Sequence, residues 1–410
     1  MIEELGIKTL DDVEVEDKNV FTRVDFNSPV DPNTKRLIDD TRIRTHSKTI
    51  QELIDRGAKV VLLAHQGRPG EPDFISLKQH AEKLSNILNF PVKFVDDIFG
   101  EKAKKAINEL KKGEVLLLEN VRMWKDETKK LPPEEHAKSK LVQELAPFVD
   151  VFCVDAFAAA HRSHASMVGL MPIAKEVIAG RVMEQELRVL YKVRNNPEHP
   201  CVYILGGAKA EDSADLSYAV LSQGIADYVL TGGLVANLFL YSKGVDLGEK
   251  NVNVLEKKGF LELKEKILKL LDEYGDKILL PDDLAIDVNN AREEISVEKL
   301  PTNYLIKDVG TNTIKAYASK IQNAKTVVMN GPLGIFEEDN FSKGTEAIFE
   351  AMVSSQAFSL IGGGHTIAAA RKLEYLERFS YVSTAGGALM EYLIKGTLPV
   401  VEALRKYSKI

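Results

Sequence analysis

The stretch IGGGHTIAAARK, residues 361–372, decides the fold of the second half of the chain. An apolar run ends in three glycines, and a histidine and a threonine then open a segment with helical spacing. A strand that turns through glycine into a helix is the repeating unit of a parallel sheet covered by helices. A helix that starts there presents free N–H groups and the positive end of its dipole, which attract phosphate. The stretch therefore predicts a phosphate site at the carboxyl edge of a sheet.

Four more segments of the second half end in glycine in the same way, and they are ILGGAK, LTGGL, MNGPLG and STAGGA. A tight turn between strand and helix would explain any one glycine pair as well as a ligand would. Five such segments in one domain favour a ligand that carries phosphate. The P-loop motif and the dinucleotide-binding glycine fingerprint are both absent, so neither of those phosphate sites is predicted.

Several predicted strands of the first half end instead in basic or amide side chains. These segments are RVDFN with Asp25 and Asn27, DDTRIR with Arg42 and Arg44 in the loop after the first strand, AHQGRPG with His65 and Arg68, LLLENVR with Arg122, and DAFAAAHRSHAS with His161, Arg162 and His164. A single surface arginine is commonly just solvated, and a lone histidine is commonly structural. Parallel sheets place ligands at these strand ends, however, and guanidinium groups bind phosphate or carboxylate in two-point contacts. The first half therefore predicts a pocket for a small anion.

The composition excludes several other classes of function. The 410 residues include 54 Lys and Arg against 61 Asp and Glu, a formal net charge of −7, which argues against a general binder of nucleic acid or membrane surfaces. Cys153 and Cys201 have neither metal-ligand spacing nor a disulfide pattern. The N-terminal segment lacks the plan of a signal peptide, and no apolar run is long enough to cross a membrane. We therefore expect a cytoplasmic protein.

The alternation of short apolar runs with helical segments predicts an α/β protein with two doubly wound parallel-sheet domains. Five strands are expected in each half, with the segment SLKQHAEKLSNILN as one of the covering helices. Between the halves, the segment from Ile173 to Asn196 is predicted to be one connecting helix. Its apolar positions would be Val177, Ile178, Val182, Met183 and Leu187.

The segments quoted above resemble the phosphoglycerate kinase family, together with RVDFNSPV, HASMVG, MNGPLGIFE and VSTAGGALMEYL. They occur in the order of that family and span nearly the whole chain. The resemblance implies reversible transfer of the ATP γ-phosphoryl group to the carboxylate of 3-phosphoglycerate, giving 1,3-bisphosphoglycerate, a step of glycolysis and gluconeogenesis. The alternative is a non-catalytic nucleotide-binding scaffold with the same fold, which loss of Arg42, Lys209 or Glu337 would have favoured. All three are present.

The resemblance also implies a site for each substrate. The predicted 3-phosphoglycerate-binding residues are Asp25, Phe26, Asn27, Arg42, His65, Gln66, Gly67, Arg68, Arg122 and Arg162. The predicted nucleotide-binding residues are Lys209, Gly232, Gly233, Asn330, Glu337, Gly362, Gly363, Gly364, His365 and Thr366. Arg42 and Lys209 would act on the transferring phosphoryl group and are the predicted catalytic pair, and Glu337 would bind the ribose.

Two positions depart from the common pattern of the family. His365 stands where an aspartate usually meets the magnesium of the nucleotide, and Ser213 replaces a second lysine; both replacements resemble the archaeal branch. Mg²⁺ is therefore expected to travel with ATP or ADP, with no protein ligand assigned. His365 is predicted to contact phosphate, the alternative being a mere helix cap. No nucleic-acid or membrane partner is expected. The sequence leaves open whether the nucleotide is ATP or GTP and whether the protein is a monomer or a homodimer.

The resemblance finally implies four parts of the chain. Residues 1–172 would form the phosphoglycerate-binding domain, 173–200 the interdomain helix and linker, 201–388 the nucleotide-binding domain, and 389–410 a tail that returns to the first domain. Members of the family close by a hinge between the two domains, and a hinge is expected here.

Overall fold

The computed structural model describes residues 2–408 and divides into two compact units. Unit 1 runs to Arg188 and takes up the segment from Thr397 onward, and unit 2 is Val189–Gly396. Each unit contains a six-stranded sheet in which all neighbouring strands are parallel. The predicted class, two α/β domains with parallel sheets, is confirmed.

The sheet of unit 1 has the strand order β3-β4-β2-β1-β5-β6. Its strands are β1 (Asn19–Arg23), β2 (Lys59–Leu63), β3 (Val92–Phe94), β4 (Val115–Leu117), β5 (Val151–Val154) and β6 (Glu176–Ala179). The central strands are apolar on both faces because helices cover both sides, as parallel sheets require. The order changes direction between β1 and β5, and the carboxyl edge at such a point is where open α/β sheets bind ligands.

The helices of unit 1 bury one apolar stripe each. They are α1 (Thr41–Asp55), α2 (Lys78–Leu88), α3 (Glu101–Asn108), α4 (Pro133–His136), α5 (Lys140–Leu145), α6 (Ala165–Val168), the start of α7 (Arg181–Asn195), and α16 (Pro399–Tyr407). Leu77, Ala81 and Leu84 are buried along α2, as the helical spacing of that segment predicted. Helix α16 buries Val400 and Leu404, and the backbone N–H of Val400 donates to the carbonyl of Ala160.

The sheet of unit 2 has the order β15-β14-β13-β7-β8-β9, with its change of direction between β7 and β13. Its strands are β7 (Cys201–Leu205), β8 (Tyr228–Thr231), β9 (Ile278–Leu279), β13 (Thr326–Asn330), β14 (Phe358–Gly362) and β15 (Tyr381–Val382). The helices are the end of α7, α8 (Ala210–Ser222), α9 (Gly233–Ser242), α10 (Glu249–Lys257), α11 (Lys264–Tyr274), α12 (Thr311–Gln322), α13 (Lys343–Ser354), α14 (Gly364–Lys372) and α15 (Gly387–Lys395).

Unit 2 also contains a small antiparallel sheet that the sequence analysis did not predict. It has the order β11-β10-β12, and its strands are β10 (Asp283–Val288), β11 (Ala291–Ser296) and β12 (Leu305–Val309). The turn between the first two strands is Asn289–Asn290, and both residues have positive φ angles, 54° and 67°. Two consecutive residues with positive φ make the type I′ turn that matches the twist of a two-residue hairpin.

The predicted connecting helix was partly wrong. Val177 and Ile178 lie in β6, which pairs in parallel with β5, and the helix begins only at Arg181. The run EVIA is short, rich in β-branched residues and followed by a glycine, which suits an edge strand better than a helix. Arg42 and Arg44 were expected in a loop but lie in the first turn of α1.

Cys153 and Cys201 are both free and buried. Within residues 2–408, no helix has the length and apolar character needed to cross a bilayer. The cytoplasmic location stays a prediction, as does the monomeric or homodimeric state.

Candidate active site

Unit 1 has a polar cavity at the carboxyl edge of its sheet. Six of the predicted residues line it, and they are Asn27, His65, Gly67, Arg68, Arg122 and Arg162. His65 follows β2, Arg122 lies in the 3-10 turn after β4, and Arg162 follows β5. Parallel strands bring these separate segments to one edge, which is why residues far apart in sequence meet there.

The arginines of this cavity have no acidic partner. In the described chain, no carboxylate lies within ion-pair distance of Arg68, Arg122 or Arg162, although acidic residues outnumber basic ones. Burial and the neighbouring Arg23 and Arg162 lower the pKa of Arg122 to about 10. Guanidinium groups that repel one another and make no direct ion pair form a site suited to an anion.

The rim of the cavity is fixed by hydrogen bonds among the predicted residues. Asn27 Oδ1 accepts from the backbone N–H of Gly67 at 2.8 Å, and Arg122 Nη1 donates to the Gly67 carbonyl at 2.7 Å. Gly67 has a φ angle of 66°, and a Cβ there would lie 2.5 Å from the carbonyl oxygen of Asp73. Only glycine fits this turn. Gln66 is fully buried and joins two loops by bonding to both backbone groups of Ser28.

The side chain of Phe26 does not line the cavity, and its part in binding 3-phosphoglycerate stays a prediction. It is fully buried, with its ring stacked against His80 and edge-on to His46. Side chains alternate in direction along an extended segment, so Phe26 faces the core where Asp25 and Asn27 do not.

Asp25 and Arg42 form an ion pair beside the cavity. Arg42 Nη1 donates to Asp25 Oδ2, and the Asp25 side chain is almost completely buried while that of Arg42 is 40% exposed. Burial alone would raise the pKa of Asp25, but the charge of Arg42 and the hydrogen bond from the Asn27 backbone outweigh it and hold the pKa below its usual value. Asp25 is therefore an anion that keeps Arg42 near the strand end.

The buried His46, which the sequence analysis did not predict as a site residue, holds the backbone of Asp25. The Asp25 backbone N–H donates to His46 Nε2 at 3.2 Å, so the proton of the neutral ring is on Nδ1, which donates to Asp155 Oδ2 at 2.7 Å. The other oxygen of Asp155 accepts from the N–H groups of Val182 and Met183 and so caps α7. His46 falls on the apolar stripe of α1, where the spacing indicates only a core position.

Arg23 is the second residue that the sequence analysis missed. It is buried under the cavity, and its Nη2 donates to His65 Nδ1 at 3.0 Å. Burial and the charge of Arg23 lower the pKa of His65 well below its usual range. An arginine inside the otherwise apolar run NVFTRV was the available signal, because a buried charge needs a partner.

The remaining basic residues of the first half lie in different surroundings. Arg44 forms a surface ion pair with Asp40, one turn earlier on α1, and takes no part in the cavity. His164 precedes α6, and burial together with the charges of Arg122 and Arg23 lowers its pKa to about 3.

Unit 2 has an apolar cavity of about 270 Å³ at the carboxyl edge of its sheet. Three predicted residues line it: Gly233, Glu337 and His365. The start of α9 forms one wall with Leu234 and Asn237. The unpredicted antiparallel sheet forms another, with Leu284, Ile306 and Val309. A mainly apolar cavity with a few polar groups suits a purine ring.

Two helix N-termini and a lysine converge next to this cavity. Helix α14 starts after Gly363 and α15 after Gly386; a Cβ at Gly386 would lie 3.8 Å from Gly363 Cα and 3.9 Å from Lys209 Nζ. Asn330 is buried, and its Nδ2 has no hydrogen-bond partner among the described residues. Unused N–H donors, an ammonium group and two positive helix ends favour phosphate.

The glycines divide into those that give access and those that allow packing. A Cβ at Gly364 would meet open space, and Gly363 has a φ angle of 88° that favours glycine. Gly362 and Gly232, in contrast, are in close packing, since a Cβ would lie 2.0 Å from Leu389 and 2.1 Å from Leu333, respectively. Packing therefore explains Gly362 and Gly232, whereas phosphate access at Gly363 and Gly364 stays a prediction.

Thr366 and Ser213 are also buried and do not line the cavity. Thr366 Oγ1 accepts from the backbone N–H of Gly331 at 2.7 Å, so the threonine holds the neighbouring loop. Among residues 2–408, no group of three or more His, Cys, Asp or Glu side chains is placed to hold a metal ion.

Comparisons with known proteins point to one family. Residues 10–396 match the family model described as phosphoglycerate kinase. A phosphoglycerate kinase of Methanobacterium bryantii is 50% identical over 98% of this chain and 97% of its own, and one of Pyrococcus abyssi is 44% identical over 97% of each chain. The crystal structure of phosphoglycerate kinase from Pyrococcus horikoshii has a TM-score of 0.90 at 41% identity and covers 98% of this chain and 100% of its own.

Proposed function

Since this chain belongs to the phosphoglycerate kinase family, its reaction is the reversible, ATP-dependent phosphorylation of 3-phosphoglycerate, and we propose that its two units divide the two substrates. Unit 1 binds 3-phosphoglycerate and unit 2 binds ATP or ADP. The observation that carries this division is the group of three arginines without acidic partners in unit 1. Their counter-charge is the 3-phosphate.

In unit 1, Arg68, Arg122 and Arg162 hold the phosphate, with His65 as a further donor. Asn27 is held by Gly67 at the rim and is placed to meet the glycerate hydroxyl. Arg42 lies at the side of the same strand ends, in an ion pair with Asp25. Its position suits the carboxylate end of the substrate, where the phosphoryl group arrives.

In unit 2, the adenine ring occupies the apolar cavity between α9 and the antiparallel sheet. Glu337 is exposed on the lining and accepts from the ribose hydroxyls. The phosphates lie at the starts of α14 and α15, where Lys209 and the unpaired Nδ2 of Asn330 donate to them. The imidazole ring of His365, in the first turn of α14, is a further contact to these phosphates.

In phosphoryl transfer, these residues align the substrates and stabilise charge, and no covalent catalysis is needed. The substrate carboxylate is already a nucleophile at neutral pH, so no general base is required. Arg42, Lys209 and the helix N-termini stabilise the charge that spreads over the transferring oxygens. An arginine is suited to this role because its planar fork contacts two oxygens at once.

We propose that Mg²⁺ reaches unit 2 on the nucleotide. The imidazole of His365 is a poor ligand for a hard cation that prefers oxygen, and Mg²⁺ commonly keeps several waters and binds through substrate phosphates. When bound, the metal neutralises part of the phosphate charge. Lys209 and Asn330 then act as protein donors to the remaining oxygens.

A coupled assay tests the proposal. The full chain is incubated with 3-phosphoglycerate, ATP and Mg²⁺, and 1,3-bisphosphoglycerate is detected through its reduction by glyceraldehyde-3-phosphate dehydrogenase and NADH. We expect turnover that requires both substrates, and Arg42→Ala should abolish most of it while the matched variant Arg44→Ala retains it. No turnover with any divalent metal would favour the non-catalytic scaffold instead.

A further inference from the structure

A fully buried carboxylate, that of Glu127, lies beneath the anion cavity of unit 1. Its Oε1 accepts from the hydroxyl of Ser166 at 2.6 Å and its Oε2 accepts from the Ser166 backbone N–H at 3.0 Å. Arg23 and Arg122 act on it electrostatically, but in the described chain no cationic nitrogen lies within ion-pair distance. A buried charge that makes no direct ion pair is costly, so its position calls for an explanation.

The hydrogen bonds around Ser166 can run in only one direction. An arginine donates and never accepts. Because Arg23 Nε donates to Ser166 Oγ at 2.8 Å, the Ser166 hydroxyl proton is the one that goes to Glu127. At the other end of the same guanidinium, Nη2 donates to Nδ1 of His65.

This direction decides the protonation of His65. Nδ1 must carry a lone pair, so the proton of the neutral ring is on Nε2. That nitrogen has no hydrogen-bond partner among the described residues, and His65 lines the cavity. The ring thus offers an N–H donor on the side where an anion binds.

We propose that Glu127 and Ser166 are positioning residues of the anion cavity, which act through Arg23 to hold His65 in the tautomer whose Nε2–H donates to a bound phosphate. The opposite tautomer would turn a lone pair toward the phosphate oxygens and repel them. The inference rests on the proposed function in that the phosphate is the one carried by 3-phosphoglycerate.

The pKa values of Glu127 and His65, at the two ends of this hydrogen-bonded chain, support the arrangement. Burial and the charge of Arg23 keep the pKa of His65 far below neutral, so the ring stays uncharged and its tautomer matters. Burial raises the pKa of Glu127 to about 7, and the charge of Arg23 opposes the rise. Measurements above that pH therefore examine the ionised carboxylate.

The test is ¹⁵N NMR of the His65 ring in the full-length protein, with and without inorganic phosphate, above the pKa of Glu127. The wild type should show an unprotonated Nδ1 and a protonated Nε2. In Glu127→Gln and Ser166→Ala, the His65 ring should exchange between its two tautomers, so that the ¹⁵N shifts of the two nitrogens become averaged. Ser166→Thr keeps the hydroxyl and should show the wild-type pattern. The matched control is Glu119→Gln. Glu119 is also buried and accepts from a serine hydroxyl and from backbone N–H groups, but in the described chain that serine, Ser76, accepts no hydrogen bond from an arginine.

Kinetics give an independent result. Glu127→Gln should raise the KM for 3-phosphoglycerate on the order of tenfold, as for the loss of one hydrogen bond to a charged group, with little change in kcat or in the KM for ATP. Wild-type nitrogen shifts and KM in Glu127→Gln would overturn the inference. Because the NMR measurement uses phosphate alone, it stands even if the wild type shows no kinase activity, so the two proposals fail separately.

Discussion

Replacing Asp155 with alanine should remove the cap of α7 and the acceptor of His46 at once. The carboxylate is fully buried, and its oxygens accept from the N–H of Val182 at 2.9 Å and from His46 Nδ1 at 2.7 Å. Loss of a helix cap costs about 1 kcal/mol. The N–H of His46, left buried without an acceptor, costs about 1–3 kcal/mol more. We therefore expect unit 1 to lose about 3 kcal/mol of stability.

Native-state hydrogen exchange measures this loss at the start of α7. Protection of the Val182 and Met183 amides should fall roughly a hundredfold, because each 1.4 kcal/mol corresponds to about a factor of ten. The KM for 3-phosphoglycerate should rise severalfold as well, since His46 would no longer be fixed behind Asp25. His46→Gln should behave much like the wild type, because its amide can accept from Asp25 and donate to Asp155.

The control is Asp97→Ala. Asp97 accepts from the N–H groups of Gly100 and Ala103 at the start of α3, both at 3.0 Å, but holds no histidine. This variant should lose only the contribution of the cap, about 1 kcal/mol, and keep its KM. If Asp155→Ala exchanged its amides at the wild-type rate, or if both variants changed KM equally, the reasoning would be refuted.

Four further predictions concern the proposed sites and Asp308, which lines the cavity of unit 2. Arg162→Ala should weaken 3-phosphoglycerate binding by about 1.5–3 kcal/mol and leave nucleotide binding unchanged in calorimetry, and equal losses would contradict the division between units. Arg42→Ala should lower kcat by roughly 10³-fold with little rescue by lysine, whereas a raised KM at constant kcat would make it a binding residue only. His365→Asp should make nucleotide affinity more dependent on Mg²⁺; identical magnesium titrations for the wild type, His365→Asp and His365→Ala would leave His365 as a helix cap. Burial raises the pKa of Asp308 to about 6, so the folded state binds this proton more tightly and stability should fall as pH rises from about 4 to about 6. Asp308→Asn should flatten that slope in urea unfolding, and an unchanged slope would exclude Asp308 as its source.

The sequence predicted the parallel sheets and the gathering of strand-end residues well, because both follow from a single rule of topology. Apolar β-branched runs identify the strands, and parallel strands bring their carboxyl ends together. Arg68, Arg122 and Arg162 are brought to one cavity for that reason.

Individual side chains were harder to predict, because a motif does not say which way each residue points. Phe26 and Thr366 belong to matching motifs, yet both are in the core. Arg23 and His46 were missed for the opposite reason, since their neighbours in sequence are apolar and their partners lie far along the chain.

The antiparallel sheet was missed because its outer strand lacks an apolar face. Strand β11 is the polar run AREEIS, and most of its residues are exposed or half-buried. The turn Asn289–Asn290 between two extended segments was the available signal. Periodicity alone does not detect a strand without a buried apolar face.

Helix α16 belongs to unit 1 but follows unit 2 in the sequence, which affects when unit 1 can complete its fold. A ribosome adds this helix to unit 1 only after it has synthesised all of Val189–Gly396. At about 5–20 residues per second, roughly 200 residues take about 10–40 s. During that interval the nascent unit 1 lacks the partner of its surface around Ala160, and Val400 and Leu404 have yet to cover it. The second unit can therefore finish folding while the first still exposes an apolar surface that a chaperone could bind.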